Sequence, residues 1–344
     1  MPDGTIRNVD TLIARGLLPD GDRAALEAVG ARYAVAVPAA FARLIAAADD
    51  PIGRQVLPDA AELVTSPHER ADPVGDDVFS PLKGLVHRYP DRVLIKPLLV
   101  CPVYCRFCFR REHVGPDGGK LSEAEIAAAL DYIAARPAIR EVILTGGDPL
   151  LLSPRRLAAL LEGVGAIGHV ELVRIHTRVP VADPDLVSEA LAATLATQTP
   201  LWLVLHANHA SEFAPAARAA VRRIQGQGVP VLGQSVLLRG VNDSVEALEG
   251  LFRAMLRARV KPYYLHQLDP APGTARFHVP IAEGQALLAG LRGRVTGLAW
   301  PTYVLDIPGG YGKVPIGPDY LEAAGAVRDP WGGVHALADT AAKG

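Results

Sequence analysis

Three cysteines occur in the 344 residues, all in the segment Cys101-Pro-Val-Tyr-Cys105-Arg-Phe-Cys108. An odd number packed so closely cannot form a disulfide framework, and a reducing compartment suits it. Thiolates at C-x3-C-x2-C spacing are soft ligands for zinc or for an iron–sulfur centre. A structural zinc site takes four protein ligands, so zinc would need His113 to supply the fourth. Three thiolates on a cubane leave one iron open to an outside ligand. A second chemical group lies far along the chain, in Asp306-Ile-Pro-Gly309-Gly310-Tyr-Gly312-Lys313-Val-Pro315. A lysine in such a loop is either solvated or, packed into a closed site, a nucleophile for carbonyl compounds.

These groups need a frame, and from about Arg92 the pattern becomes regular. Apolar runs at Arg92–Val100, Glu141–Thr145, Val170–His176, Leu201–His206, Val229–Leu237 and Val260–Leu268 predict strands. Helical segments are expected between them, near Ser122–Ala135, Pro154–Glu162, Asp183–Ala196, Glu212–Gln227, Val245–Arg257 and Ile281–Arg292. Six such alternations imply a parallel sheet, open or curled into a barrel, followed by a further run at Thr302–Ile307. Residues 1–85 read as a helical extension, with an alanine-rich helix over Arg23–Ala48 and a polar linker at Thr65–Asp77. Parallel α/β folds put their sites at the carboxyl ends of strands. There stand Thr145-Gly146-Gly147-Asp148, His176-Thr177-Arg178, His206-Ala207-Asn208-His209, Gln234-Ser235 and His266-Gln267-Leu268-Asp269.

Composition narrows the function classes. With 49% hydrophobic and 21% charged residues the chain can bury a large core. A formal charge of −2 gives no general attraction for nucleic acid. No long uninterrupted apolar run suggests a membrane span, and the N-terminus lacks a signal-peptide layout, so a cytoplasmic protein is expected.

C-x3-C-x2-C with an aromatic residue before the last cysteine resembles the signature of radical S-adenosylmethionine (SAM) enzymes. In that family three cysteines hold a [4Fe–4S] cluster whose open iron binds SAM. The resemblance therefore implies Cys101, Cys105 and Cys108 as cluster ligands, and Thr145, Gly146, Gly147 and Asp148 as the glycine motif that meets SAM. Glycines there let backbone carbonyls approach a ligand closely. His206, His209 and Gln234 stand at strand ends where the family contacts SAM or lines the site.

With the Lys313 loop included, the likeness extends from about Glu62 to Tyr320 and is to the lysine 2,3-aminomutases, which also use pyridoxal 5′-phosphate (PLP). It implies Lys313 as the residue joined to PLP and Arg88 and Arg92 as anchors of its phosphate, a role suited to guanidinium forks. It implies Arg110 for the substrate carboxylate, and Asp269 and Asp306 for a distal ammonium. The expected architecture is an α/β partial (βα)6 radical SAM barrel over 86–300, with an N-terminal helical extension over 1–85 and a C-terminal PLP-lysine segment over 301–344. The expected activity is an isomerase that moves the amino group of L-lysine to give β-lysine. An unidentified electron donor would serve the cluster.

Alternatives remain open at this point: a 2,3-aminomutase for another amino acid such as glutamate, or a non-catalytic iron–sulfur sensor. Cys108-Phe109-Arg110-Arg111 and the short length resemble the branch that makes β-lysine for elongation factor P. Long members add a cysteine-bearing zinc region; no cysteine follows Cys108 here, so a monomer or dimer is expected. His266 stands where the family usually has tyrosine, and Tyr311 where it often has glycine. Gly163-Val-Gly165-Ala-Ile-Gly168 fits a dinucleotide pattern but follows a helix and precedes a strand, the wrong order. Asn242-Asp-Ser244 is a glycosylation sequon without secretory context.

Overall fold

The apolar runs form one nine-stranded sheet because each is joined to the next by a helix that returns the chain to the same end. The computed structural model describes residues 4–322 and 326–336. In chain order the strands are β1 (Leu85–Tyr89), β2 (Arg92–Leu98), β3 (Glu141–Gly146), β4 (Leu172–Thr177) and β5 (Leu201–His206). Then come β6 (Val231–Val236), β7 (Lys261–His266), β8 (Thr302–Asp306) and β9 (Lys313–Pro315). Neighbours in the sheet follow chain order from β1 to β9. Strands β2 to β8 pair in parallel, while β1 and β9 pair antiparallel at the two edges. The edges do not pair with each other, so the curled sheet is a partial barrel.

Alternation along the strands sorts the side chains. Val93 and Ile95, Val142 and Leu144, Val173 and Ile175, and Leu203 and Leu205 join the main core with the helices. Arg92, Lys96, Arg174, His176, His206, Gln234, Tyr264, His266 and Asp306 occupy the other face, which is the polar inside of the half-barrel. Helix Glu123–Ala134 begins at a capping box between Ser122 and Glu125, and Ser153 and Ser244 cap Pro154–Gly165 and Val245–Arg257. Helix Val245–Arg257 buries Leu248, Leu251, Phe252 and Met255. Truncating a buried phenylalanine such as Phe252 to alanine typically costs about 3–5 kcal/mol.

Some elements differ from expectation. The helix expected over Arg23–Ala48 stops at Arg32, and Val37 then pairs with Ile6 before a short turn at Ala39–Ala42. Pro38 disfavours helix at Val37 and restarts the chain extended. The segment Asp183–Ala196 is not one helix but the pieces Pro184–Leu186 and Glu189–Ala193, because Pro184 and the cap at Ser188 each begin a new turn. Lys313 lies in strand β9, paired opposite Asp306, rather than in a free loop. Beyond β9 a small antiparallel sheet is built from Leu321–Glu322, Ala326–Arg328 and Val334–Ala336. The rest of the expected C-terminal segment lies outside the described residues. Among the described residues no helix is long and apolar enough to cross a membrane.

Candidate active site

The cysteine loop leaves β2 and is fastened from both sides. Arg106 N donates to Gln55 O at 2.8 Å, and Tyr104 N donates to Ala36 O at 3.3 Å, so the N-terminal extension clasps the loop. Cys101, Cys105 and Cys108 are partly buried and line one small cavity with Tyr104 and Arg111. Burial, then the neighbouring charges, pushes the Cys108 thiol up to about 11 and Cys101 well above its usual value. Arg178 donates to Cys105 Sγ at 2.7 Å, and its other terminal nitrogen donates to Gln55 and Glu212 at 2.6 and 3.1 Å. A buried cation thus sits against one of the thiols.

The glycine segment closes the end of β3 against β2. Gly146 has φ +110, and a Cβ at Gly147 would lie 2.2 Å from Val100 O. Only glycine lets β3 pass so close to the start of the cysteine loop. Asp148 is buried and accepts from Leu150 N, Thr177 Oγ1, Arg178 N and Val179 N, at 3.1, 2.8, 2.7 and 3.2 Å. Its carboxylate therefore ties β3 to β4 and is committed to the protein. His206 pairs with Asn208 at 3.2 Å, and burial pulls it down to about 3, so it is neutral. His209 caps the turn Ala210–Glu212 instead of facing the other groups.

At the far edge, Lys313 Nζ donates to Asp306 and lies 3.3 Å from His266 Nδ1. Its backbone N–H donates to Tyr89 Oη at 2.7 Å, and its ammonium stands 5.6 Å from the Tyr264 ring centre. Gly309, Gly310 and Gly312 take φ values of +93, +87 and +99, while Tyr311 needs no such angle and is exposed. Glycine at 311 is therefore not required. Burial favours protonation of Asp306, but His266 and Lys313 outweigh it and hold the carboxyl far below its usual range. Asp269 lacks such a partner: burial and the Asp306 charge push it up to about 7. His176, also inside the barrel, has a buried Nε2 with no hydrogen-bond partner among the described residues.

The cationic groups gather around a residue with no motif, Asp76. Its carboxylate pairs with Arg110 at 2.9 Å, Arg88 at 3.3 Å and Lys96 at 3.6 Å, all four side chains being no more than 14% exposed. Burial would raise Asp76, yet Arg110, Lys96 and Arg88 pull it below the usual carboxylate value. Arg92 does not join them: it pairs with Asp91 at 2.7 Å and lies over the Tyr89 ring. Arg88 and Arg92 are thus on one hairpin but hold different partners. Gln55, Glu62, Asp76, Lys96 and Glu212 matter to this geometry and carried no sequence signal; burial of so many charged types becomes visible only when the chain is folded.

The polar half-barrel with a three-cysteine loop at its first strand end defines a class. A model described as the radical SAM superfamily matches residues 95–251, and one described as lysine-2,3-aminomutase matches residues 288–328. An L-lysine 2,3-aminomutase of Fusobacterium nucleatum is 41% identical over 271 residues, covering 79% of this chain and 64% of its own length. A Clostridium subterminale L-lysine 2,3-aminomutase is 40% identical over 273 residues, covering 79% and 66%. This chain therefore spans just under two thirds of the length of these relatives. A Clostridioides difficile glutamate 2,3-aminomutase is 34% identical over 322 residues, covering 93% of this chain and 76% of its own. The chain belongs to the radical SAM lysine 2,3-aminomutase family. The superfamily implies a [4Fe–4S] cluster and SAM, and lysine 2,3-aminomutases use PLP.

Proposed function

We propose that this chain is an isomerase that moves the α-amino group of L-lysine to the neighbouring carbon, giving β-lysine. The observation that carries this reading is the contact of Lys313 with Asp306. The chain's own alkylammonium already rests on a carboxylate at the anionic end of the site, with Asp269 near it. A distal ammonium of a substrate would meet the same chemistry, while the cations Arg110, Arg88 and Lys96 stand ready for its carboxylate and the coenzyme phosphate.

The residues present fit the cofactors. Among the described residues no three His, Cys, Asp or Glu side chains close round one point as ligands of a single ion do. Cys101, Cys105 and Cys108 are free thiols that line one small cavity, and they would hold an iron–sulfur cluster there. Thr145, Gly146 and Gly147 would offer backbone to SAM at the β3 end, with Gln234 and His206 on the same polar face. Arg88 and Arg92 would share the PLP phosphate, and Lys313 would carry the coenzyme. The unpartnered His176 Nε2 fits a site that a polar group completes.

When bound, the cluster with SAM supplies hydrogen abstraction, and PLP supplies the carbonyl that carries the migrating nitrogen. The protein's own part is orientation and exclusion of water. Arg110 fixes the carboxylate end, and Asp306 with Asp269 fixes the ammonium end. Asp148 and Glu212 lock the β4 and β5 ends through Arg178, which holds Cys105 in place. The division at about residues 85 and 300, a cytoplasmic location and an outside electron donor belong to the same reading. Its support is the edge hairpin beginning at Leu85 and the three unpaired thiols.

The test is an anaerobic assay of cluster-reconstituted protein with dithionite, SAM, PLP and L-lysine, with product read by NMR. β-Lysine that disappears on Cys105→Ala and on Lys313→Ala is the expected result. Turnover of L-glutamate but not L-lysine would overturn the substrate. Deoxyadenosine without any β-amino acid would overturn the reaction.

A further inference from the structure

We propose that Lys96 is a specificity-determining residue of this site: together with Arg110 it receives the α-carboxylate of the amino-acid substrate. The assignment rests on the function proposed above and names a group that no motif marks.

Lys96 projects from β2 on the polar face, two residues before Leu98 and beside the glycine end of β3, where its Cβ would lie 2.8 Å from a Cβ placed on Gly146. Its ammonium is 3.6 Å from Asp76 Oδ2, and Arg110 reaches the same oxygen at 2.9 Å. The two charged ends are therefore close enough for a single carboxylate to lie against both. Both residues also line one cavity of about 330 Å³, together with Asp72, Asp76, Asp77, Phe109 and His113. Arg110 turns Nε and Nη2 to Asp76, which leaves Nη1 for another acceptor. The one acceptor for the Lys96 ammonium among the described residues is Asp76 Oδ2 at 3.6 Å, a single long contact for a group with three donors.

Charge points the same way. Arg88, Lys96 and Arg110, all largely buried, bring three positive charges against one buried carboxylate, Asp76, and the exposed Asp77. Burial lowers the Lys96 pKa, and Asp76 offsets this only in part. A lysine kept largely buried at that cost gains from an anion in the cavity. With the coenzyme phosphate assigned above to Arg88 and Arg92, the substrate carboxylate is the anion we assign to Lys96 and Arg110.

The experiment titrates PLP-loaded wild-type, Lys96→Met and Lys96→Arg proteins with L-lysine and with 1,5-diaminopentane. The diamine has the same amines and lacks the carboxylate. Binding is read from the absorbance of the bound coenzyme, and PLP uptake is titrated separately. Loss of one charge-assisted contact should weaken L-lysine binding to Lys96→Met by about tenfold or more. Diamine binding and PLP uptake should stay as in wild type, and Lys96→Arg should recover L-lysine binding. Equal weakening for both ligands would make Lys96 structural, and weakened PLP uptake would move it to the phosphate; either overturns the assignment. Unchanged L-lysine binding to Lys96→Met overturns it alone. Wild-type protein that takes up neither ligand overturns it together with the proposed function.

Discussion

Glu62 is fully buried and holds Arg106 and Arg111, which stand on either side of Cys108, with Arg276 at 3.7 Å. Arg106 donates to it through Nε at 3.0 Å and Nη2 at 2.5 Å, and the side chains of Arg106 and Arg111 are 1% and 4% exposed. Glu62→Gln keeps the shape and removes the charge, leaving both guanidiniums buried without a counter-ion. Breaking a buried pair in this way costs about 3–5 kcal/mol. The assay is urea unfolding of cluster-free, thiol-reduced protein by circular dichroism and fluorescence, whose coincidence licenses a free-energy reading. The control is Glu171→Gln, whose exposed pair with Arg140 spans 3.3 Å and should be worth less than about 1 kcal/mol. Burial favours protonated Glu62, but Arg106, Arg111 and Arg276 hold it below its ordinary 4.5. The contribution is therefore present above about pH 4.5 and is lost as pH falls through the lower folded value. A Glu62→Gln loss no larger than that of Glu171→Gln, at neutral pH, would refute the view that this network holds the N-terminal extension to the cysteine loop.

Asp269, raised to about 7 from 3.8, is protonated in the ligand-free site at lower pH, so its stability contribution is lost as pH rises through about 7. An ammonium ligand favours the ionised form, so L-lysine affinity of PLP-loaded protein should climb with pH up to about 7 and then level. Asp269→Asn should flatten that climb in a titration series across pH. Gly147→Ala places a Cβ 2.2 Å from Val100 O, next to Cys101, and should cost about 1–3 kcal/mol and lower the iron retained after reconstitution; full iron content would contradict the packing argument. Arg178→Gln removes a cation 2.7 Å from Cys105 Sγ, and the cluster potential followed by EPR should become more negative. An unchanged potential would mean that the contact does not persist beside the cluster.

The frame was legible where period and punctuation agree. Strand Leu201–His206 and helix Val245–Arg257 fall on the residues their patterns marked, because a β-rich run and a serine-capped amphipathic run each have one dominant reading. The breaks at Pro38 and Pro184 were local signals that alanine-rich surroundings obscured. Strand β9 was illegible because it is three residues long and gains its pairing only from β8. Among chemical groups, Cys101, Cys105 and Cys108 stood out through their spacing, whereas Lys313 and Asp306 were singled out only through the family resemblance. Asp76 was not, because it lies in a polar linker whose composition reads as solvent-exposed. It is buried among Arg88, Lys96 and Arg110, and Gly309 N donates to Pro73 O at 3.0 Å, which ties the linker to the glycine loop before β9.

On the proposed function, the linker bears on how one site would tell two acids apart. Its Asp76 gathers the cations Arg88, Lys96 and Arg110 at one end, while Asp269 and Asp306, after β7 and at the end of β8, stand at the other. A substrate with a carboxylate at one end and an ammonium at the other is neutralised at both. A substrate with two carboxylates sets one of them against Asp306, which its neighbours keep ionised. At the effective dielectric of a site near the surface, unit charges about 4 Å apart interact by about 4 kcal/mol. Turning that attraction into repulsion is worth more than the factor of ten that each ~1.4 kcal/mol represents. Protonation of Asp269 relieves only its own share, since Asp306 stays charged through the partners it keeps. On the proposed function, a preference for a distal cation would therefore be set by Asp306, and by the His266 that stays beside it once Lys313 carries the coenzyme, more than by the number of carboxylates present.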